Sequence, residues 1–155
     1  MDVNMINPVL LSFKEILPRI GFQSVEKQKI SLLNSTFAYK GIILNVTMVG
    51  KIKGIILIGM DIENAKKFAS KMMKGLEIVE FDALAQSAIS EMGNMVCANT
   101  CTQFAKIDVL GLDISPPTLM MSTGISYVTL PVPQIIAIDF LCEGDILVKI
   151  YVGFG

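Results

Sequence analysis

At 155 residues, with 52% apolar and 17% charged side chains, the chain has single-domain length and is too hydrophobic to remain disordered. Thirteen Lys and Arg against fourteen Asp and Glu leave a net charge of -1, with no basic run long enough to follow a phosphate backbone, which argues against nucleic acid as a partner. The absence of histidine removes His-based acid–base chemistry, the Ser-His-Asp triad and nearly all zinc sites other than all-thiolate ones.

The first predicted element is an amphipathic helix. Asn7-Pro8 reads as a cap followed by proline at the first helical position, and Val9, Phe13, Ile16 and Leu17 recur at helical spacing until Pro18 and Gly21. From Ser24 to Met60 the β-branched content rises, with turn signals near Asn34-Ser35 and at Gly50-Lys51, so the runs Gly41 to Val49 and Ile52 to Ile58 are expected to form a hairpin. The unbroken apolarity of Gly54-Ile55-Ile56-Leu57-Ile58 implies a strand with little solvent on either face. Asp61 can cap a second helix carrying Ala65, Phe68, Ala69 and Met72, stopped by Gly75.

A third helix is expected over Phe81 to Phe104. Beyond it, Asp108 to Ser115 reads as a strand and Pro116-Pro117 as a rigid bend. Gln134 to Cys142 and Ile146 to Val152 then read as a hairpin turned at Glu143-Gly144-Asp145. Helix then strands, twice over, hints at an internal duplication. No flexible linker divides the chain, so residues 1–155 are expected to be one domain burying roughly 70% of its unfolded surface. The apolar balance further suggests that some surface is covered by a second copy. Cys97, Cys101 and Cys142 are odd in number, lack a CxxC pair and are expected to be buried reduced thiols. The start Met1-Asp2-Val3-Asn4 has no basic n-region, and Lys51, Lys53 and Asp139 interrupt the hydrophobic stretches, so a cytoplasmic protein without membrane contact is expected.

The third helix carries the chemistry. Ser87, Glu91 and Asn94 stand at i, i+4 and i+7, and at about 100° per residue they share an arc of roughly 60°. Phe81, Leu84, Ala85, Ala88, Met92 and Val96 centre on a different, core-directed face. A carboxylate and a carboxamide are therefore offered outward together. The first can pair with a cation, and the second can hold a water molecule in one orientation, which suits hydrolysis when a partner supplies the electrophile and the metal. Such stripes are also common on merely solvated helices. Gly93 and Asn94, however, each cost roughly 0.5 to 1 kcal/mol against alanine inside a helix, so something besides helix propensity selects them.

The spacing Ser87-x3-Glu91-x2-Asn94-x22-Pro117 resembles the Asp/Ser-x3-Glu-x2-Asn-x22-Pro signature of the CheC, CheX and FliY phosphatases of bacterial chemotaxis. The opening Asp2-Val3-Asn4-Met5-Ile6-Asn7-Pro8 is similar to the start of CheX proteins, and the order of elements is similar over essentially the whole chain. The resemblance implies an α+β fold with a largely antiparallel sheet, long helices and two pseudo-repeated halves. It implies hydrolysis of the aspartyl phosphate of a phosphorylated CheY-type response regulator, whose receiver domain holds the Mg²⁺, so no cofactor of the chain's own is expected. Glu91 and Asn94 fall on the family's catalytic positions, the glutamate pairing with a lysine of the regulator and the asparagine orienting the attacking water. Ser87 and Pro117 fill the supporting positions.

CheC-type members carry two such sites and CheX-type members one. On the first helix Glu15 could stand for the glutamate, but Pro18 and Leu11 occupy the asparagine and serine positions, and Gly41 replaces the proline. A single-site, CheX-like homodimer with strands joined across its interface is the expectation. The alternatives are a non-catalytic, flagellar-switch-like adaptor that binds the regulator without hydrolysis, and a structural dimerisation domain.

Overall fold

A computed structural model describes residues 3–155. After a 3-10 turn, the elements are α1 (Asn7–Arg19), β1 (Val25–Val49), β2 (Gly54–Met60), α2 (Ile62–Met72), α3 (Ala83–Ala105), β3 (Asp113–Ile114), β4 (Thr118–Cys142) and β5 (Ile146–Phe154). Met1 and Asp2 of the opening motif lie outside the described residues. All pairings are antiparallel, the strand order is β2-β5-β4-β1-β3, and β2 also pairs with β1, so the sheet curls back on itself.

The expected duplication is present in the topology. Each half contributes a helix, a strand of 25 residues and a shorter antiparallel strand: α1, β1 and β2, then α3, β4 and β5. The two long strands pair with each other from Val25 opposite Cys142 to Asn45 opposite Thr118. Three register shifts, between Lys27 and Ile30, Asn34 and Thr36, and Tyr39 and Gly41, bend this ribbon. The last shift needs Gly41, whose φ is +96° and where a Cβ would overlap the Met60 carbonyl.

Bending gives the sheet two buried faces. Ile42 and Leu44 of β1 and Ile56 and Ile58 of β2 point to one face, which α1, α2 and α3 cover. Ile43 and Leu57 point to the other, where they join Phe37, Leu130, Ile135 and Tyr151, with the Phe37 and Tyr151 rings stacked at 4.3 Å. Period-2 alternation between two cores explains why Gly54 to Ile58 reads as continuously apolar.

Several local expectations shift. The Asn7 cap moves one residue upstream to Ile6, which makes no side-chain cap bond. The turn expected at Asn34-Ser35 is a register shift inside an unbroken strand, Asn34 still pairing with Gln134. Asp108 to Ser115 is strand only at Asp113–Ile114, because Asp108 (φ +66°) and Gly111 (φ +75°) turn the chain before it. Asp61 does cap α2, its carboxylate accepting from the Asn64 amide at 2.7 Å.

The β4–β5 turn is tied to the rest by Glu143. Its carboxylate accepts from the amides of Gln23 at 2.7 Å and Ser24 at 2.8 Å and pairs with Lys71 at 3.0 Å, joining the α1–β1 loop, α2 and the turn. The Ser24 amide and then the Lys71 ammonium hold this carboxyl below its usual range. A depressed folded value means the contribution is complete above the unfolded carboxylate pKa and fades as pH falls through the folded one. Glu143→Ala is expected to cost about 1 to 2 kcal/mol at pH 7, and the difference from wild type should shrink in acid denaturant titrations.

The three cysteines are free: Cys97 and Cys142 are buried and Cys101 is half-buried. Burial pushes the Cys97 and Cys142 thiols up to about 12 and raises Cys101 as well. In the native protein at pH 8, mass-spectrometric alkylation should therefore modify Cys101 first, with Cys97 and Cys142 reacting only on unfolding.

Candidate functional site

Helix α3 starts where Asp82 accepts a hydrogen bond from the Ala85 amide at 3.0 Å. From there Ala85, Ile89, Met92, Gly93, Val96, Cys97, Thr100, Gln103 and Phe104 are buried. Packing against α1 and α2 and against β1, β3 and β4 covers most of the helix circumference. After Ala83, the exposed positions are Leu84, Ser87, Glu91, Asn94, Ala98 and Thr102, one stripe at three- and four-residue steps.

Glu91 and Asn94 stand mid-stripe. They are separated by about 4.5 Å along the helix axis and face solvent. Among the described residues, neither they nor Ser87 make a side-chain hydrogen bond or ion pair. A carboxylate and a carboxamide with no partner among the described residues keep their full donor and acceptor capacity for another molecule. Pro117 is half-buried in the connection between β3 and β4, strands that α3 contacts. Leu84 corrects the sequence reading: it is 58% exposed and belongs to the outward stripe, one turn before Ser87, rather than to the core. Its place three residues before Ser87 was the available signal.

The equivalent helix α1 has no such free pair. Glu15 accepts from the Gln103 amide nitrogen at 2.6 Å and from Arg19 at 3.3 Å, so its carboxylate ties α1 to α3. Among the described residues no group of three or more His, Cys, Asp or Glu side chains could hold a metal ion. Nor is any described helix long and apolar enough to cross a membrane.

The family model described as chemotaxis phosphatase CheX matches residues 42–141, a span that takes in all of α3 and Pro117. The chain belongs to this family. CheX membership makes it a chemotaxis phosphatase, an enzyme of the hydrolase class. Over 147 residues the chain is 27% identical to the CheY-P phosphatase CheX of Thermotoga maritima, covering 94% of this chain and 93% of that one. Its fold is similar to that of a CheC-like superfamily protein from Shewanella sp. PV-4, with a TM-score of 0.86, 20% identity, and 100% and 99% of the two chains covered. It is also similar to a chain of the CheX–CheY–BeF3–Mg²⁺ complex from Borrelia burgdorferi, with a TM-score of 0.78, 22% identity and 96% of each chain covered.

Proposed function

We propose that the chain hydrolyses the aspartyl phosphate of a phosphorylated CheY-type response regulator, with Glu91 docking against a cation of the regulator and Asn94 entering its active site to orient water. The water oxygen bonds to phosphorus as the bond to the aspartyl oxygen breaks; the carboxylate is regenerated, and the water proton passes to the departing inorganic phosphate and solvent. The carboxamide oxygen of Asn94 accepts from the water and aims its lone pair, so catalysis is mainly positioning. The regulator supplies the electrophile and the Mg²⁺. Ser87 and Pro117 shape the surface around the pair.

The observation that carries this reading is that Glu91 and Asn94 stand together, exposed and without a partner among the described residues, on the outward stripe of α3. The name of the Thermotoga maritima relative and the composition of the Borrelia burgdorferi complex support the choice of partner. On this reading the protein works in the cytoplasm, beside its regulator. The test is to incubate the protein with the phosphorylated receiver domains of its own organism and time phosphate release. Accelerated loss from one receiver is expected; binding without acceleration would assign the adaptor role instead.

We also propose a homodimer joined through strands. The first halves of β1 and β4 pair only with each other's strand, and they carry the exposed Ile30, Leu32, Met121, Ile125 and Tyr127. Light scattering should give twice the chain mass, and a stable monomer would count against the interface.

A further inference from the structure

Gly93, beside Asn94 in the sequence and about 100° from it around the helix, lies on the buried side of α3, where a Cβ would overlap Cδ2 of Leu44. Leu44 is itself fully buried in the middle of the sheet, opposite Ile58 of β2 on one side and Leu119 of β4 on the other. Pro117 precedes Leu119 by two residues. One contact thus runs from the back of the catalytic turn, through a strand, to the strand that leads out of the Pro117 loop.

We infer that Gly93 and Leu44 form the gauge that sets how far α3 stands from the sheet, and hence where Glu91 and Asn94 sit relative to the Pro117 loop. Both are positioning residues, which touch neither the regulator nor the phosphoryl group. Moving the helix alone would be harmless to a partner that met only the helix. It matters because a receiver docked across α3 and the Pro117 loop has its position set by both surfaces, and Asn94 must reach the phosphoryl group that the receiver holds at near-attack distance. The atom that an added methyl meets is the end of the Leu44 side chain, fully buried with Ile58 and Leu119 beside it in the sheet, so in this close-packed layer the inference is that α3 lifts rather than that Leu44 turns away. This gives the helix-breaking glycine a positive role, since alanine at that position would otherwise favour the helix.

The inference rests on Asn94 being the hydrolytic residue, so Asn94→Ala is assayed in parallel. Gly93→Ala is expected to lower saturating phosphate release from the labelled receiver by about 10- to 100-fold while the KM for the receiver changes by less than about threefold, because Glu91 still faces outward. Leu44→Ala removes the obstructing atoms, so the double variant Gly93→Ala/Leu44→Ala should release phosphate faster than Gly93→Ala alone. A purely structural role would lower Tm and leave turnover unchanged below the transition. Wild-type turnover in Gly93→Ala, or a double variant no faster than Gly93→Ala, overturns the gauge even if Asn94→Ala is inactive. If Gly93→Ala does not fold, the double variant decides, since it must approach the rate of Leu44→Ala. Wild-type turnover in Asn94→Ala overturns the hydrolytic reading and the gauge with it.

Discussion

Asn94→Ala is expected to slow stimulated dephosphorylation of the receiver by about 100-fold or more, with little change in affinity for it. The carboxamide is exposed and bonded to nothing among the described residues, so its loss removes no interaction from the folded protein. Alanine is also the better helix former by roughly 0.5 kcal/mol, so Tm should be unchanged or slightly raised. A fall in kcat without a rise in KM is the signature of an interaction made only in the transition state. Timing phosphate release over a range of receiver concentrations separates the two parameters. Calorimetry on the free protein verifies the fold.

Glu91→Ala should show the opposite pattern, with KM for the phosphorylated receiver raised about 10-fold and saturating turnover largely kept. Its carboxylate lies one helical turn from Asn94 on the same stripe, far enough to bind a cation beside the reacting centre rather than within it. An ion pair formed on docking steers association, so wild-type KM should climb with ionic strength while that of Glu91→Ala should respond less. Glu91→Lys places a cation where a cation is to be met, and should weaken binding further than Glu91→Ala does. Stopped-flow binding at two salt concentrations reads both effects.

The α3 stripe was legible in the sequence because helical periodicity is a local property: Ser87, Glu91 and Asn94 had to share a face once the segment was helical, and it is. The Asp61 cap, the Gly54 to Ile58 strand and the Glu143-Gly144-Asp145 turn were legible for the same reason, each depending on residues within a few positions. What failed depended on distant partners. Asn34-Ser35 has turn chemistry, but its backbone is claimed by β4, a strand a hundred residues away, and the irregularity becomes a bend. The first half of β4 is not apparent in the sequence, where Pro131 and Pro133 interrupt it. They fall in the gap between the Thr36–Thr129 and Asn34–Gln134 pairs, where no ladder bond is required of them. Leu84 looked like core by type, yet its angular position belongs with Ser87, and geometry prevails over hydrophobicity at the first turn of a capped helix. Gly93 could be recognised as out of place, but its reason, Leu44, lies on another strand.

On this reading, catalysis requires that Asn94 reach into the active site of another molecule. A crystal structure of this chain bound to its regulator's receiver domain, activated with beryllofluoride and Mg²⁺, would show whether it does. In such a complex α3 is expected to face the acyl-phosphate mimic, with the Asn94 carboxamide within about 3.2 Å of a water or fluoride in line with the aspartyl oxygen and Glu91 paired with a regulator cation. A complex in which the receiver seats elsewhere and Asn94 stays in solvent would overturn this role for Asn94.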